Sequence, residues 1–248
     1  SGQSSFCRLA KLPQLSGNSA AIARIIGFEA QQIVPYPMDE VVWGYQLVSH
    51  IEKTERVIEP EEPGAEPFTE VEENEEFEAL FVAVKNEQVT MFTDTIVDSG
   101  KRILSVDIAP VSMFNAAKAT QCSGEESTLL LNIGGRSTSL VIADGNRIFV
   151  RSIPIAGDTI TQQISKEFGV SFAEAEELKR RHGFVALGGA YEEPESEVAA
   201  TISKIARNIM TRLHGEINRS INVWRSQHSG NPPKRLLLAG GGALMFYT

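Results

Sequence analysis

Two glycine-rich segments that follow apolar strands are the residues of this sequence best suited to chemistry. Asn132-Ile133-Gly134-Gly135 follows three leucines at 129–131, and Gly240-Gly241-Gly242 follows three leucines at 236–238. Because glycine has no Cβ, backbone N–H groups at such turns can approach the oxygens of a phosphate or a sugar. Each segment alone is weak evidence, since glycine is also common at ordinary hairpin turns. The presence of both in one candidate domain favours a phosphate-binding site.

Glu176 and Lys179 form a second candidate group. They are three residues apart in the predicted helix AEAEELKRR, so their side chains share one face. A carboxylate accepts hydrogen bonds and an ammonium donates them, so the pair could bracket the two hydroxyls of a ribose. The alternative is a solvated ion pair within the helix, worth only about 0.3 kcal/mol. The spacing leaves both interpretations open.

Other catalytic chemistries find little support in the sequence. No GxSxG, no lysine-containing Walker loop and no GxGxxG occurs, which disfavours a serine hydrolase, a P-loop nucleotidase and a dinucleotide-binding domain. The four histidines have no metal-ligand spacing: His50, His182, His214 and His228.

Composition and charge restrict the class of partner. The chain has 248 residues, of which 42% are hydrophobic, and its net charge of -9 argues against nucleic acid or an anionic membrane surface as the main partner. Cys7 and Cys122 have no regular spacing, which favours a reducing compartment. No apolar run is long enough to span a bilayer and the first residues do not form a signal peptide, so we expect a cytoplasmic protein.

The elements of the second half are predicted to present the candidate residues at strand ends. The strand TLLLNI ends at Gly134-Gly135, STSLVIA ends at Asp144-Gly145, and RIFVRSI ends before Pro154. Asp-Gly between alternating segments predicts a tight hairpin, because both turn residues need positive φ. Helices are predicted at 159–168, after the capping box SFAE, and from about 197 to 224, before the buried strand RLLLA.

The first half is predicted to be a compact α+β domain. A strand at SSFCRLAKL, a helix at NSAAIARIIGFEAQQI and a strand at VVWGYQLVSHI come first. The strand ALFVAVK, a helix that starts at Asn86 and a strand at ILSVDIAP follow. In that helix we expect four side chains to face inward: Val89, Phe92, Ile96 and Val97.

Residues 55–78 differ in composition from the rest of the domain. Eleven of their twelve charged residues are glutamate. Such a segment has little apolar surface to offset the entropy lost on ordering, so the sequence predicts a mobile insertion in a β-hairpin. The alternative is an acidic docking segment.

The glycine segments and their flanking elements resemble the actin/FtsA superfamily of ATPases. The residues from LLLNIGGRSTSLVIADG to SFAEAEELK resemble its second phosphate loop and the helices that follow, and RLLLAGGGALM is similar to its adenosine motif. The first half is similar to the type IV pilus assembly family PilM, in SGQSSFCRLAKLP, FEAQQIVPYPMDEVVWGYQLV and EALFVAVKNEQVTMFTDTIVDSG. The Pro-Tyr-Pro turn before Glu40 favours PilM over the cell-division family FtsA.

The resemblance implies an α/β, actin-like (ribonuclease H-like) fold with a small inserted SHS2-like α+β module. The module would be residues 1–108 and the nucleotide-binding lobe residues 109–248, with a helical subdomain at about 159–195. ATP or ADP with Mg²⁺ would bind in a cleft of that lobe. The implied cofactor-binding residues are Asn132, Gly134, Gly135 and Ser137 at the phosphates, Glu176 and Lys179 at the ribose, and Gly240, Gly241 and Gly242 beside the nucleoside.

The function implied by the resemblance is a cytoplasmic scaffold of type IV pilus assembly or a related type II secretion system. Such a protein binds the tail of a PilN-like inner-membrane protein, and so lies at the membrane through its partner without inserting into it. Self-association would fit the fold, and hydrolysis would be weak or absent.

Two departures from the superfamily pattern concern the phosphates. The second phosphate loop usually begins with Asp, and Asn132 lacks the negative charge that a hard cation prefers. No first glycine hairpin precedes Phe6, so we expect the chain to start inside the fold, without the phosphate-1 segment, and to be a fragment.

Three functions therefore remain open from the sequence. The first is a PilM-like nucleotide-binding scaffold. The second is a nucleotide-independent interaction protein, or an FtsA-like cytoskeletal protein. The third is a catalytic member such as a sugar kinase, which needs an Asp base for the phosphate acceptor, and no candidate for that base stands out.

Overall fold

A computed structural model describes residues 5–13, 19–58, 68–120, 126–185 and 196–245. For residues 49–58 and 68–76 it describes the backbone alone. The contacts divide the chain into two compact units. The first unit contains Phe6–Thr95, and the second contains the described residues from Ile96 onward, together with Ser5. The assignment of residues 1–108 and 109–248 to an inserted module and an actin-like lobe stays a prediction.

The first unit contains a three-stranded sheet and a helix that packs on it. The elements are β1 (Ser5–Lys11), α1 (Ser19–Ile33), β2 (Val41–Ile58) and β3 (Phe68–Lys85), with strand order β1-β3-β2. Ile26 and Ala30 of α1 form a buried cluster with Ala79 and Phe81 of β3. These elements confirm the predicted strand–helix–strand order. The helix ends two residues before Pro35, which cannot donate a helical hydrogen bond.

Most of the acidic segment 55–78 lies in the two strands of a hairpin, and its predicted mobility stays a prediction. Residues 55–58 continue β2 and residues 68–78 begin β3, paired in one antiparallel register from Val41–Lys85 to Ile58–Phe68. Residues 59–67 lie outside the described residues. The physical reason is that ladder hydrogen bonds join backbone groups, which a glutamate-rich segment has as much as an apolar one.

Helix α2 (Asn86–Asp98) forms as predicted, but its apolar face is not buried. Phe92, Ile96 and Val97 are exposed, and none of the residues of α2 is buried. The inward orientation predicted for this face is therefore wrong. The periodicity shows only that these side chains lie on one face, and no described element packs over it closely enough to exclude water.

The predicted strand at ILSVDIAP is also wrong. Residues 101–108 have no regular structure, and α3 (Ala109–Thr120) begins directly after them. Asp107 accepts hydrogen bonds from the Ile108 N–H at 2.8 Å and from the Ser112 hydroxyl at 3.1 Å. An Asp at this place and a Pro in the first helical turn are signals for a helix start, and here they outweigh the apolar alternation.

The second unit contains a four-stranded sheet in the order β6-β5-β4-β7. Its strands are β4 (Thr128–Ile133), β5 (Thr138–Asp144), β6 (Arg147–Ile153) and β7 (Arg235–Ala239). β4, β5 and β6 pair antiparallel through short turns, as predicted, and Gly145 in the second turn has a φ of 61°. β7 returns to pair parallel with β4.

The helices of the second unit position the candidate residues around the carboxyl ends of β4 and β7. Besides α3, they are α4 (Gly157–Phe168), α5 (Phe172–His182), α6 (Glu197–Gln227) and the 3₁₀ helix Gly241–Leu244. Helix α6 packs against β5 and β6 and contacts α4 and α5. The predicted capping box is confirmed, since Glu174 accepts from the Ser171 N–H at 2.9 Å and the Glu174 N–H donates to the Ser171 hydroxyl at 3.3 Å. None of the helices in the described ranges is long and apolar enough to cross a membrane.

Candidate functional site

The two glycine segments lie side by side in the second unit. Asn132 of β4 is the register partner of Ala239 of β7 in a parallel pair. Because parallel strands end at the same edge of a sheet, Gly134-Gly135 and Gly240–Gly242 leave the sheet next to each other. Ligands of open α/β sheets bind at this edge, outside the carboxyl ends of the strands.

The turn after β4 is fastened to the start of α4. The Gly134 N–H donates to the carbonyl of Ser137 at 3.1 Å. The carbonyls of Gly134 and Gly135 accept from the N–H groups of Gly157 at 3.0 Å and Asp158 at 2.7 Å. The first amides of α4 therefore hold the turn in place. The N–H groups of Gly135 and Arg136 donate to no described residue.

The three glycines after β7 have different neighbours. Gly240 has a φ of 89°, and a Cβ there would lie 2.5 Å from Oδ1 of Asn132 and 2.8 Å from the carbonyl carbon of Ile133. A Cβ on Gly242 would overlap the side chain of Ile133. A Cβ on Gly241 would meet no atom within 4 Å. Gly240 and Gly242 are thus required by the fold, whereas Gly241 faces open space.

Asp158 is a carboxylate beside the turn that the sequence prediction missed. A Cβ on Gly135 would lie 3.1 Å from Oδ1 of Asp158, so the carboxylate rests against the backbone of the turn. Asp158 lies in the first turn of α4, where a negative charge is favourable. Its signal in the sequence is the Gly-Asp pair that begins a helix directly after the third strand.

Glu176 and Lys179 form the ion pair within the helix that their spacing allows, but the pair is partly buried and not fully solvated. Lys179 Nζ lies 2.6 Å from Glu176 Oε2, and the side chains are 12% and 28% exposed. Both contact Thr161 of α4, whose hydroxyl lies 2.6 Å from Glu176 Oε2 and 2.8 Å from Lys179 Nζ. Thr161 is a second residue that the prediction missed. The sequence feature that could have indicated it is a polar side chain next to Ile160 on the buried face of α4, because a buried hydroxyl needs a hydrogen-bond partner.

The contacts of Glu176 keep its carboxylate ionised. Burial acts to raise the pKa of Glu176, but hydrogen bonds from Lys179 and Thr161, the charge of Lys179 and a hydrogen bond from Arg180 outweigh it. The net effect is a pKa below the usual value for glutamate. At neutral pH the site therefore presents an ionised carboxylate, which accepts hydrogen bonds and donates none.

A cavity of about 740 Å³ joins these groups within the second unit. Its lining includes six of the nine predicted residues: Gly134, Gly135, Glu176, Lys179, Gly241 and Gly242. Asp158 and the last turn of α5, from Arg180 to His182, line it as well. Apolar residues form another part of the wall: Ile155, Ile160, Ile209, Met210, Leu213, Leu244 and Met245. The volume suits a small ligand with one polar and one apolar end.

The other three predicted residues do not line the cavity. Ser137 contributes its carbonyl to the turn, and Gly240 allows the two strand ends to approach. The side chain of Asn132 lies against Gly240. Among the residues that the structure describes, no group of three or more His, Cys, Asp and Glu side chains is arranged to hold a metal ion.

Comparison with known proteins gives a family match for the second unit. The family model described as cell division protein FtsA matches residues 129–245. FtsA of Bacillus subtilis is 29% identical over 160 residues, which cover 59% of this chain and 36% of that protein. FtsA of Agrobacterium fabrum is 28% identical over 123 residues, which cover 44% of this chain and 28% of that protein. The matched part of the chain thus spans about a third of the length of these relatives.

Solved structures extend the similarity to the first unit. A structure described as a PilM-PilN type IV pilus biogenesis complex matches with a TM-score of 0.71 and 23% identity, covering 98% of this chain and 61% of that chain. MreB5 of Spiroplasma citri bound to ADP matches with a TM-score of 0.50 and 17% identity, covering 66% of this chain and 56% of that chain. The predicted mixed α/β, actin-like fold is confirmed. Together with the FtsA family match, this fold supports placing the chain in the actin-like ATPase superfamily.

Proposed function

We propose that the second unit binds an adenine nucleotide, ATP or ADP, in the cavity at the ends of β4 and β7. The observation that carries the proposal is that two glycine turns, an ionised Glu–Lys pair and an apolar wall meet in one cavity of about 740 Å³. A nucleotide has a matching order of groups, which are phosphates, a sugar with two hydroxyls and an apolar ring. A solved structure of similar fold, MreB5 of Spiroplasma citri, is described as bound to ADP.

Each part of the nucleotide is assigned to the part of the cavity with matching chemistry. The free N–H group of Gly135 binds the phosphates, in a turn that Gly134 and Ser137 close. Glu176 accepts a hydrogen bond from the sugar hydroxyls, and Lys179 holds its carboxylate in place. The apolar residues of α6 and the 3₁₀ helix, with the open surface of Gly241, bind the base.

Mg²⁺ enters this proposal only as an ion carried by the nucleotide. The described residues offer no set of three protein ligands, and Asn132, the position expected to organise the metal, faces Gly240 rather than the cavity. Mg²⁺ usually keeps several waters and takes one or two carboxylates besides the phosphates, and Asp158 is the carboxylate beside the turn. We therefore propose nucleotide binding with weak or absent hydrolysis.

The whole protein is proposed to be a PilM-like scaffold at the cytoplasmic face of a membrane. The support is the structural match to the PilM-PilN complex, which covers 98% of the chain and so includes the first unit. On this proposal residues 1–108 form an SHS2-like module, and a PilN-like tail peptide binds the protein and brings it to the inner membrane. Self-association and an FtsA-like cytoskeletal role remain alternatives within the same superfamily.

A second candidate function is a nucleotide-independent interaction protein. The observation that favours it is the side chain at position 132, an uncharged amide that packs against Gly240. In this case Gly240 and Gly242 serve only to bring the two strand ends together.

Titration calorimetry with ATP and ADP, with and without Mg²⁺, separates the two candidates. We expect micromolar binding by the wild-type chain and a loss of more than about a hundredfold in Gly241→Leu, because the new side chain occupies the space proposed for the base. Gly215→Leu is the matched control, since Gly215 lies exposed on α6 and a Cβ added to it would meet no atom within 4 Å. Equal affinity in the wild type and Gly241→Leu, or no binding by the wild type, contradicts the proposed function.

A further inference from the structure

The hydroxyl of Thr161 lies at the centre of the polar contacts in the cavity wall. Its side chain is completely buried. The oxygen lies 2.6 Å from Glu176 Oε2, 2.8 Å from Lys179 Nζ and 3.1 Å from the carbonyl of Gly157. A single hydroxyl thus joins α5 to the first turn of α4, the same turn whose amides hold Gly134 and Gly135.

The hydrogen bonds of Lys179 are fully accounted for. An ammonium has three N–H donors and no acceptor. The three acceptors are Glu176 Oε2 at 2.6 Å, Thr161 Oγ1 at 2.8 Å and the Gly157 carbonyl at 3.3 Å. Since Thr161 accepts from Lys179, its one proton goes to Glu176 or to Gly157. The shorter contact to a charged oxygen favours Glu176.

The two carboxylate oxygens of Glu176 are consequently unequal. Oε2 accepts two short hydrogen bonds, from Thr161 and Lys179. Oε1 accepts one longer bond of 3.3 Å from Arg180 Nε, and the Arg180 side chain is 73% exposed. A ligand hydroxyl can displace this exposed guanidinium at little cost, because exposed ion pairs are weak. Oε1 is therefore the oxygen available to a ligand.

We propose that Thr161 is a positioning residue, whose hydroxyl fixes Glu176 and Lys179 so that Glu176 Oε1 receives a hydroxyl of the sugar. This proposal rests on the proposed function, because it assumes that the ligand is a nucleotide. It adds that the affinity for the sugar hydroxyls depends on the Thr161 hydroxyl and not on the volume of its side chain.

The effect of the Thr161 hydroxyl on Glu176 can be separated from that of the surrounding charges. On its own helix Glu176 faces Lys179 and Arg180, and Arg181 and His182 line the same cavity. Asp158 is the charged residue that α4 contributes to the lining, and the α6 residues that line it are Ala199, Ile209, Met210 and Leu213. Thr161→Val keeps the branched shape and changes none of these charges, so it removes only the contacts of one hydroxyl, which include a hydrogen bond to the carboxylate and one from Lys179.

The first test measures the pKa of Glu176 by carboxyl ¹³C NMR without nucleotide, with Glu176→Gln for assignment. We expect a higher pKa in Thr161→Val than in the wild type, because the ionised form loses a donor, and recovery in Thr161→Ser. Thr128→Val is the matched control: Thr128 is equally buried but lies at the opposite end of β4. An unchanged Glu176 pKa in a folded Thr161→Val overturns the proposal.

The second test compares the affinities of ADP and 2′,3′-dideoxy-ADP by calorimetry. We expect Thr161→Val to weaken ADP binding by about tenfold, the size of one hydrogen bond, and to leave the dideoxy analogue nearly unaffected. Thr161→Ser should restore the affinity for ADP. An equal loss for both nucleotides shows that Thr161 only shapes the cavity and overturns the proposal.

The two tests separate failure of this proposal from failure of the proposed function. If the wild-type chain binds neither nucleotide, the proposed function is overturned, and the sugar-binding part of this proposal with it. The pKa comparison then still decides whether Thr161 orders the Glu176–Lys179 pair. If the wild type binds ADP but Thr161→Val binds it equally well, only the role of Thr161 is overturned.

Discussion

Two of the three ion pairs described on helix α5 have similar spacing but very different surroundings. Lys179 and Glu176 are 12% and 28% exposed and share the hydroxyl of Thr161, while Arg181 and Glu177 are 69% and 55% exposed. Spacing along a helix makes the two pairs equivalent, and only the packing of α4 against one face makes them different. The comparison shows that contact with the neighbouring helix α4, and not spacing along α5, distinguishes the pair in the candidate site.

The glycine run after β7 shows the same contrast over three adjacent positions. Gly240 and Gly242 are pressed against Ile133 and Asn132, whereas Gly241 faces the cavity. Chemically identical residues thus divide into those that the fold needs and one that is free to contact a ligand. Substitutions at single positions can test this division.

The largest expected effect is on stability, at Gly240. Gly240→Ala should lower the free energy of unfolding by about 2–4 kcal/mol, because the left-handed φ is costly for alanine and the new Cβ meets Asn132 and Ile133. Gly241→Ala should change it by less than about 1 kcal/mol, and in the stabilising direction, since alanine restricts the unfolded chain. Urea unfolding followed by the fluorescence of the buried Trp224 measures both. Equal destabilisation at the two positions contradicts the division.

The parts of the site that the sequence predicts correctly are those fixed by local chemistry. The Gly145 turn, the end of α1 before Pro35 and the Ser171–Glu174 capping box all follow from a few adjacent residues. The adjacency of the two glycine segments needs only the parallel pairing of β4 with β7. The roles of Asp158 and Thr161 escape such reasoning, because they depend on contacts between α4 and elements distant in sequence.

Helix α2 and the acidic hairpin show a related limit of local sequence patterns. The apolar face of α2 has the right period, yet period alone does not provide a partner for it. Residues 68–78 are rich in glutamate, yet their backbone continues the ladder that begins in the packed part of β3. In both cases the local sequence pattern does not determine which other elements a segment packs against or pairs with.

A smaller effect is expected from the charge of Glu176, and its sign depends on pH. The pKa of Glu176 is lowered in the folded state, so its carboxylate stabilises the fold fully above the unfolded-state pKa of about 4.3. This stabilisation is lost as the pH falls through the lower folded-state pKa. Urea unfolding at several pH values should therefore show the wild type losing its advantage over Glu176→Gln below about pH 4.

A second variant tests whether this pH dependence comes from the contacts of Glu176. In the Thr161→Val background, Glu176→Gln should change the pH dependence of the free energy of unfolding less than it does in the wild type. The reason is that Thr161→Val already removes one of the hydrogen bonds that lower the pKa of Glu176. A wild-type advantage that does not vary with pH shows that the carboxylate is not held by Lys179 and Thr161 in solution.

The smallest effect is expected at the exposed pair. Glu177→Gln should change the free energy of unfolding by less than about 0.5 kcal/mol, because water and salt screen its contact with Arg181. It should leave the affinity for ADP unchanged, since Glu177 is absent from the cavity lining among the described residues. Urea unfolding at low and high salt, with calorimetry, measures both. An effect of Glu177→Gln as large as that of Glu176→Gln means that position on the helix, and not the contact with α4, sets the strength of these pairs.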